Sequence, residues 1–427
     1  MSKRSPALRH DQPLLSCERA WGKILARAKP LEKISVPLDD ACGMALAESV
    51  RAPRAVPPFD NSAMDGFAVR AADLRGPIDP SPICLEIVAT IPAGTHWRGK
   101  IQLGQAAKIM TGAAMPRGAN TVVPVESTRE EGGWVEILTM PAMGSNVRRR
   151  GGDLGRGRVA LRRRARLTPA ALTLIASLGL THITCWRRPR VAILASGSEL
   201  IVPGQPLPRG HIYESSHWAL CETLRALGAE VTFLGIARDD RAETRRLIRR
   251  GLRGDVLLTA GGVSVGEFDF IRDELARCGA DEIFWRVAQR PGKPLLFAAT
   301  EQTLVFGLPG NPVSSLVSTE MYVKPALRQM MGFAKSEIFP PRLRLPTAEQ
   351  ITKPPRLRTF HRASFTVAEG RVALELTRSD QSSGIFSTML DAHALTNLPP
   401  RLTVIEPGEE VECFVLNPEA LVRVMQR

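Results

Sequence analysis

Between residues 185 and 335 the chain alternates short apolar runs with segments of helical spacing. This alternation restricts the fold more than any other feature of its 427 residues. "RVAILAS" (190–196) reads as a buried strand. "SHWALCETLRALG" follows, with Leu220, Leu224 and Leu227 at i, i+4 and i+7, a helical face closed by Gly228. "EVTFLGIA" (230–237) is a second strand, "RAETRRLIRRGL" a second helix and "DVLLTA" (255–260) a third strand. A further helix is expected from about Asp269 to Cys278. "PLLFAA" and "TLVFGL" are further strands, and "PVSSLVSTEMYV" opens another helix. The pattern predicts an α/β domain, a parallel sheet with helices on both faces.

The polar motifs fall where strands end. "SGSEL" follows the first strand, "RDD" the second, "TAGGVSVGEFDF" (259–270) the third and "GLPGNPVSS" the last. Open α/β sheets bind ligands at the carboxyl ends of their strands. In the third loop Gly261, Gly262 and Gly266 alternate with Ser264, Glu267 and Asp269. A plain turn needs one or two glycines. The excess suits a backbone closing around an anion, with a carboxylate nearby for a metal. Any one of these loops is explained as a turn, but four at one end of a sheet predict a pocket.

Residues 52–157 have a different texture, with short β-like runs ("ICLEIVAT", "AAKIMTG", "TVVPVES", "WVEILT") between Gly and Pro turns, and read as a small β-rich domain. After Phe339 a proline-rich stretch marks a boundary, and the remainder alternates apolar and polar residues as a C-terminal β-domain would.

Seven cysteines without a CxxC pair and seven scattered histidines without HExxH argue against zinc, iron–sulfur and disulfide frameworks. A bound metal would be a hard cation on carboxylates and substrate oxygens. Cysteine usage fits a reducing compartment, and no run is long or apolar enough to span a bilayer. The expectation is a cytoplasmic protein with no membrane contact. The net charge of +14 raises nucleic acid as a partner. Aromatic residues are only 5%, however, and no nucleic-acid-binding motif is present, so nucleic acid is not the expected partner. The basic runs "VRRRGGD" (147–153), "RVALRRRAR" (158–166) and "CWRRPR" (185–190) fit a small, highly anionic substrate better, and "RRLIRR" (245–250) reads as a solvated helix face.

"VPPFDNSAMDGFAVR" (56–70) is the most specific string. With "IMTGAAMPRGANTVVPVE" (109–126), "VRRRGGD", "TAGGVSVGEFD" and "RPGKPLLF…FGLPGNPVSS", it resembles the molybdopterin molybdenumtransferase family, the MoeA proteins related to the E domain of gephyrin. The resemblance implies an enzyme that inserts molybdate into adenylated molybdopterin and releases AMP with Mg²⁺. It also implies an elongated homodimer with its cleft between subunits. The implied division is an N-terminal helix (13–32) rejoining the central domain, a connecting domain (33–51 and 158–179), the β-rich domain (52–157), the α/β domain (180–336) and the C-terminal β-domain (337–427). Molybdopterin adenylyltransferase and molybdoenzyme apoproteins are the implied partners.

Carried onto this sequence, the family's acidic site positions are Asp65, Asp153, Glu199, Asp239 and Asp269. Carboxylates beside an anionic substrate need a cation between them or a proton to move, which makes Glu199, Asp239 and Asp269 the candidate Mg²⁺ ligands. Arg148, Arg149, Arg290 and Lys293 would neutralise phosphate, adenylate and molybdate. Arg290 opens "PGKP" where relatives often carry lysine, which keeps the charge and changes its geometry. Thr111, Gly261, Gly262, Ser264, Pro309, Gly310 and Pro312 are expected to meet ligand through backbone or hydroxyl groups, and "TFHRASF" and "QSSGIF" add Arg362 and Ser383. Two other functions remain. One is the related adenylyltransferase, usually a single domain. The other is a non-catalytic gephyrin-like scaffold, against which stands the lack of a fused adenylyltransferase domain.

Overall fold

The computed structural model describes residues 14–74, 83–238, 240–262 and 270–426. At its centre is a six-stranded sheet in the order Glu230–Ala237, Arg190–Ser196, Val256–Ala260, Leu304–Leu308, Leu296–Ala299, Asp281–Trp285. The first four strands are mutually parallel. Chain order reverses at Arg190–Ser196, which has the second strand on one side and the third on the other. Such a reversal sends successive helices to opposite faces and opens a crevice at the carboxyl ends. Residues of this strand alternate accordingly. Val191 and Ile193 join a core with helices Ser216–Leu227 and Pro312–Ser318, whereas Ala192 and Leu194 join one with Arg241–Gly251 and Ile271–Arg277.

The sheet departs from the all-parallel expectation at one strand. Leu296–Ala299 runs antiparallel to both neighbours, Leu304–Leu308 and Asp281–Trp285. Only residues 300–303 join it to Leu304–Leu308, in a turn closed by the Thr300 amide donating to the Thr303 carbonyl at 2.9 Å. A parallel pair would need a crossover of about a dozen residues or more. Two helices start on side-chain caps beside the crevice. Asp240 accepts from the Glu243 amide at 2.7 Å, and Asn311 accepts from the Val313 amide at 3.2 Å with Pro312 in the first turn.

Two β-rich bodies flank this domain. One is a six-stranded sheet from Gly66–Val69 to Trp134–Ile137, antiparallel except where Ile83–Ile91 runs with Gln105–Ile109. The other is a five-stranded antiparallel sheet from Arg342–Pro346 to Glu410–Val415. Lys33–Pro37 pairs with His182–Trp186 over a separate core containing Leu46, Ile175 and Cys185. Helix Cys17–Arg27 buries Cys17, Ala20 and Ile24 in the main core with Tyr322 and Leu327. The Gln329 amide ties the end of that helix by donating to the Ala28 carbonyl at 2.7 Å.

The "RRLIRR" segment is more than a solvated face. Arg241, Arg245 and Arg277 surround the fully buried Glu274, with Arg245 Nε 2.6 Å from its Oε2. These arginines hold the Glu274 carboxyl below the usual range, the Arg245 bond contributing most. All seven cysteines are free, and among the described residues no helix is long and apolar enough to cross a membrane.

Candidate active site

A cleft of about 420 Å³ opens at the carboxyl ends of the parallel strands. Gly262, Arg290, Lys293, Pro309, Gly310 and Ser383 all line it, which brings together four separate sequence motifs. Gly262 has φ +69°, a region that favours glycine, and a Cβ there would run into Ile271 Cγ1 and lie 3.0 Å from Ser196 Oγ. Gly261 has φ +92°, and a Cβ on Gly310 would lie 3.5 Å from its Cα, so the two strand-end loops meet backbone to backbone. Ser315 braces the second loop, its hydroxyl donating to the Pro309 carbonyl. Among the described residues the walls contain two cations and no carboxylate.

The loop bearing Arg290 and Lys293 rests on a buried side chain that the sequence did not single out. Gln289 is fully buried and also lines the cleft. Its Oε1 accepts from the Tyr322 hydroxyl and from Cys17 Sγ at 3.8 Å, and its Nε2 donates to the Gly292 carbonyl at 3.1 Å. One amide thus connects the N-terminal helix, a π-helical turn over Thr319–Val323 and the cation loop. On its outer side the Phe360 amide donates to the Arg290 carbonyl at 2.9 Å.

Beneath the cleft, where the C-terminal sheet meets the central domain, lies a group of buried cations. Arg362 is fully buried, with Nε donating to Thr388 Oγ1 and an Nη donating to the Ser382 carbonyl, both at 3.1 Å. It therefore holds the loop that carries Ser383 into the cleft. Its other Nη, Nη1, has no partner. Burial pulls this guanidinium down to about 10, with Asp380 opposing and Arg290 adding to the effect. His361, only 7% exposed, is pulled down to about 4 by burial and by Arg362, Arg290 and Lys353. Thr359 Oγ1 and His361 Nδ1 are likewise buried without partners. Orphaned polar atoms are rare in folded proteins, and these three stand at or just beyond Arg358–Thr359, which pairs with Gln289–Arg290 of the cleft wall.

A second cluster forms on the β-rich body. The Thr111 amide and hydroxyl both donate to Asp65 Oδ1, at 2.6 and 2.7 Å, and hold that carboxyl below its ordinary range. Val147–Arg148 pairs with Asn61–Ser62, which fixes Arg148 on the same rim. Arg149 and the Arg150 amide hold Asp60, at 2.8 and 2.7 Å. Asp153 is exposed two residues beyond Gly151, whose amide donates to the Pro57 carbonyl at 2.9 Å. "PPFDNSAMDG", "MTG" and "VRRRGGD" thus converge, but Asp65, Thr111, Arg148 and Asp153 do not line the cleft. Glu199 stands exposed on the loop after Arg190–Ser196, and Pro312 occupies the first turn of its helix; neither reaches the wall. Asp239, Ser264 and Asp269 lie outside the described residues. Among the described residues no three His, Cys, Asp or Glu side chains form a metal-binding group, so Glu199 is the one expected Mg²⁺ ligand that can be placed, and it stands without others.

Comparison with known proteins bears on the whole chain. Residues 15–179 match the MoeA N-terminal region (domains I and II), 192–329 a probable molybdopterin-binding domain, and 344–416 the MoeA C-terminal region (domain IV). A protein of Mycobacterium tuberculosis named molybdopterin molybdenumtransferase 2 is 35% identical over 405 residues, covering 93% of this chain and 98% of the relative. A molybdopterin molybdenumtransferase of Nostoc is 35% identical over 382 residues, 88% of this chain and 87% of its own. The crystal structure of a molybdopterin biosynthesis MoeA protein from Pyrococcus horikoshii superposes with a TM-score of 0.79 at 27% identity, covering 94% of this chain and all of the other. With domain matches in the same order and this identity sustained over most of its length, the chain belongs to the MoeA family.

Proposed function

We propose that the chain is a molybdopterin molybdenumtransferase, which inserts molybdate into adenylated molybdopterin and releases AMP. The observation that carries this reading is the cleft itself: Arg290 and Lys293 on walls that hold no carboxylate among the described residues, with a buried guanidinium nearby that has one Nη unpaired. Cations held away from acids cost solvation energy unless an anion meets them. Arg290 and Lys293 neutralise the oxyanion and phosphate oxygens, and Arg362 offers its free donor from below. The strand-end glycines let main-chain N–H groups approach the phosphates. Water cleaves the phosphoanhydride and AMP leaves; two Mo–S bonds to the dithiolene form as one oxygen of molybdate departs as water with the two thiol protons.

The reading includes Mg²⁺, which would offset charge on the phosphoanhydride oxygens, with Glu199, Asp239 and Asp269 as its ligands. It also includes a homodimer in which Asp65, Thr111, Arg148 and Asp153 of one subunit face the cleft of the other. An adenylyltransferase would supply the substrate, and molybdoenzyme apoproteins would receive the product. The test is single-turnover AMP release from adenylated molybdopterin. Molybdate should accelerate it, and Lys293→Met and Arg290→Met should each raise the molybdate concentration for half-maximal rate about tenfold. AMP release indifferent to molybdate in the wild type would refute the activity. An unchanged molybdate dependence in both variants would refute the cleft assignment.

A further inference from the structure

At the opposite pole of the central sheet, where its parallel strands begin, the surface is grooved and basic. Three cavities of about 150, 500 and 330 Å³ share walls: Met44 and Arg188 line the first and second, Arg190 and Glu230 the second and third. Arg190 and Glu230 open their strands, and Gly254 stands two residues before the next. The groove therefore lies at the amino ends, and the cleft at the carboxyl ends.

Its walls carry seven arginines against three carboxylates, Glu32, Asp40 and Glu230. Three of the arginines are engaged. Arg187 holds the buried Asp255 through two bonds of 2.6 and 2.7 Å, Arg190 lies 3.7 Å from the same carboxylate, and Arg225 pairs with Glu222 at 2.6 Å. The other four, Arg166, Arg188, Arg250 and Arg253, make no ion pair among the described residues, although Arg188 donates to the Asp40 and Gly228 carbonyls at 3.4 and 3.5 Å and Arg166 lies 5.2 Å over the Phe333 ring. An isolated surface arginine is commonly just solvated. These four line the three adjoining cavities, and two strand edges that are open among the described residues border them. Among the described residues Lys33–Pro37 pairs only with His182–Trp186, and it gives Ile34 to Pro37 to the wall. Glu230–Ala237 is the outermost strand of its sheet and contributes Glu230, Thr232 and Leu234.

An open edge accepts an added strand through main-chain hydrogen bonds, and arginines select carboxylates along it. We propose that this groove docks an extended, acidic segment of a partner protein. Its main chain lies against Lys33–Pro37 and its carboxylates meet Arg166, Arg188, Arg250 and Arg253. Nucleic acid fits the walls less well. Their one aromatic side chain, Trp186, is 3% exposed and offers no platform for stacking bases. The inference is independent of the reading of the cleft, because binding here is measured without turnover.

The experiment is fluorescence anisotropy of a fluorescein-labelled deca-glutamate titrated with the full chain at moderate salt. The triple variant Arg166→Glu/Arg250→Glu/Arg253→Glu, with unfolding temperature matched to wild type, should bind about tenfold more weakly or worse. Arg371→Glu/Arg401→Glu/Arg423→Glu makes the same charge change on exposed residues of the C-terminal body and should leave affinity within about twofold once salt screens distant charges. Equal weakening by the two variants would show diffuse attraction to a basic protein and overturn the site. A deca-glutamate N-methylated at its backbone amides keeps the charge and spacing, has no main-chain donors and should bind more weakly; equal binding would overturn strand addition. A deca-thymidylate that binds more tightly than the peptide and is lost in the first variant would overturn the choice of occupant.

Discussion

His361 offers a test of the buried cation group that needs no substrate. Its imidazole is 7% exposed, faces Arg362, Arg290 and Lys353, and is pulled from 6.5 to about 4. A histidine held this low is neutral in the folded protein at pH 7, whereas the unfolded chain protonates it near 6.5. The stability contributed by the buried neutral ring is present above pH 6.5. It is lost as pH falls from there toward 4, because only the unfolded state takes up the proton. At about 1.4 kcal/mol per pH unit, the whole span amounts to about 3 kcal/mol, of which about 2 falls between pH 6.5 and 5. That upper window belongs to histidine. Asp60, Asp65, Asp255 and Glu274 are all held below their ordinary values, so their contributions are lost at lower pH. Burial also lowers His393, and that contribution is common to wild type and variant. The perturbation is His361→Gln, polar and never charged in this range. Urea unfolding followed by far-ultraviolet circular dichroism at half-unit steps from pH 8 to pH 5 gives the difference between the two proteins. The variant should decline less than wild type by about 2 kcal/mol between pH 6.5 and 5. Parallel curves would mean that His361 takes up its proton as readily in the folded state as in the unfolded, and the buried, neutral imidazole would be refuted.

Gln289→Leu keeps the volume but removes both bonds that tie the cation loop to the N-terminal helix and Tyr322, so KM for molybdate should rise about tenfold with kcat little changed; a fall in kcat alone would count against a positioning role. Gly262→Ala forces a Cβ against Ile271 at a positive φ and should cost about 1–3 kcal/mol in urea unfolding; unchanged stability would mean that the turn is not held as described. AMP release should vanish in EDTA and return with Mg²⁺ and not with Zn²⁺, as carboxylate ligands require; restoration by zinc alone would contradict the ligand set. Sedimentation should show a dimer at assay concentration, and a fully active monomer would remove the shared cleft.

The parts of this architecture that a sequence can show are those written in periodicity and punctuation. "RVAILAS" and "DVLLTA" are apolar throughout because both faces of their sheet are covered, and the loops after them advertise themselves by glycine content. Asp281–Trp285 escaped notice because it opens on two acids at the edge of the sheet. The reversed strand was legible in principle. Four residues between "LLFAA" and "LVFGL" are too few for a crossover, so loop length rather than propensity set its direction. Gln289 and His361 carried no such signal. A polar residue becomes informative only when it is buried, and burial here is made by contacts more than 200 residues away for Gln289 with Cys17, and by a domain junction for His361.

The separation of charges between the cleft and the β-rich body has a physical rationale. Several arginines beside acids in this molecule pair with them: Arg149 takes Asp60, Arg187 takes Asp255, and three arginines enclose Glu274. A carboxylate placed on the wall beside Arg290 or Lys293 would do the same and quench the attraction on which an oxyanion site depends. Holding Asp65 and Asp153 on a different body keeps those two carboxylates off the cleft cations. In the proposed dimer those acids meet the substrate only from the facing subunit. Asp65 is already drawn toward its ionised form by two Thr111 donors, so it arrives as a base or a cation ligand rather than as an acid. On this argument, moving a carboxylate into the cleft by Asn311→Asp should weaken molybdate binding although Asp caps the helix as well as Asn does. Molybdate titrations of this variant against wild type decide the point: an unchanged affinity would mean that the cleft does not work by unpaired charge.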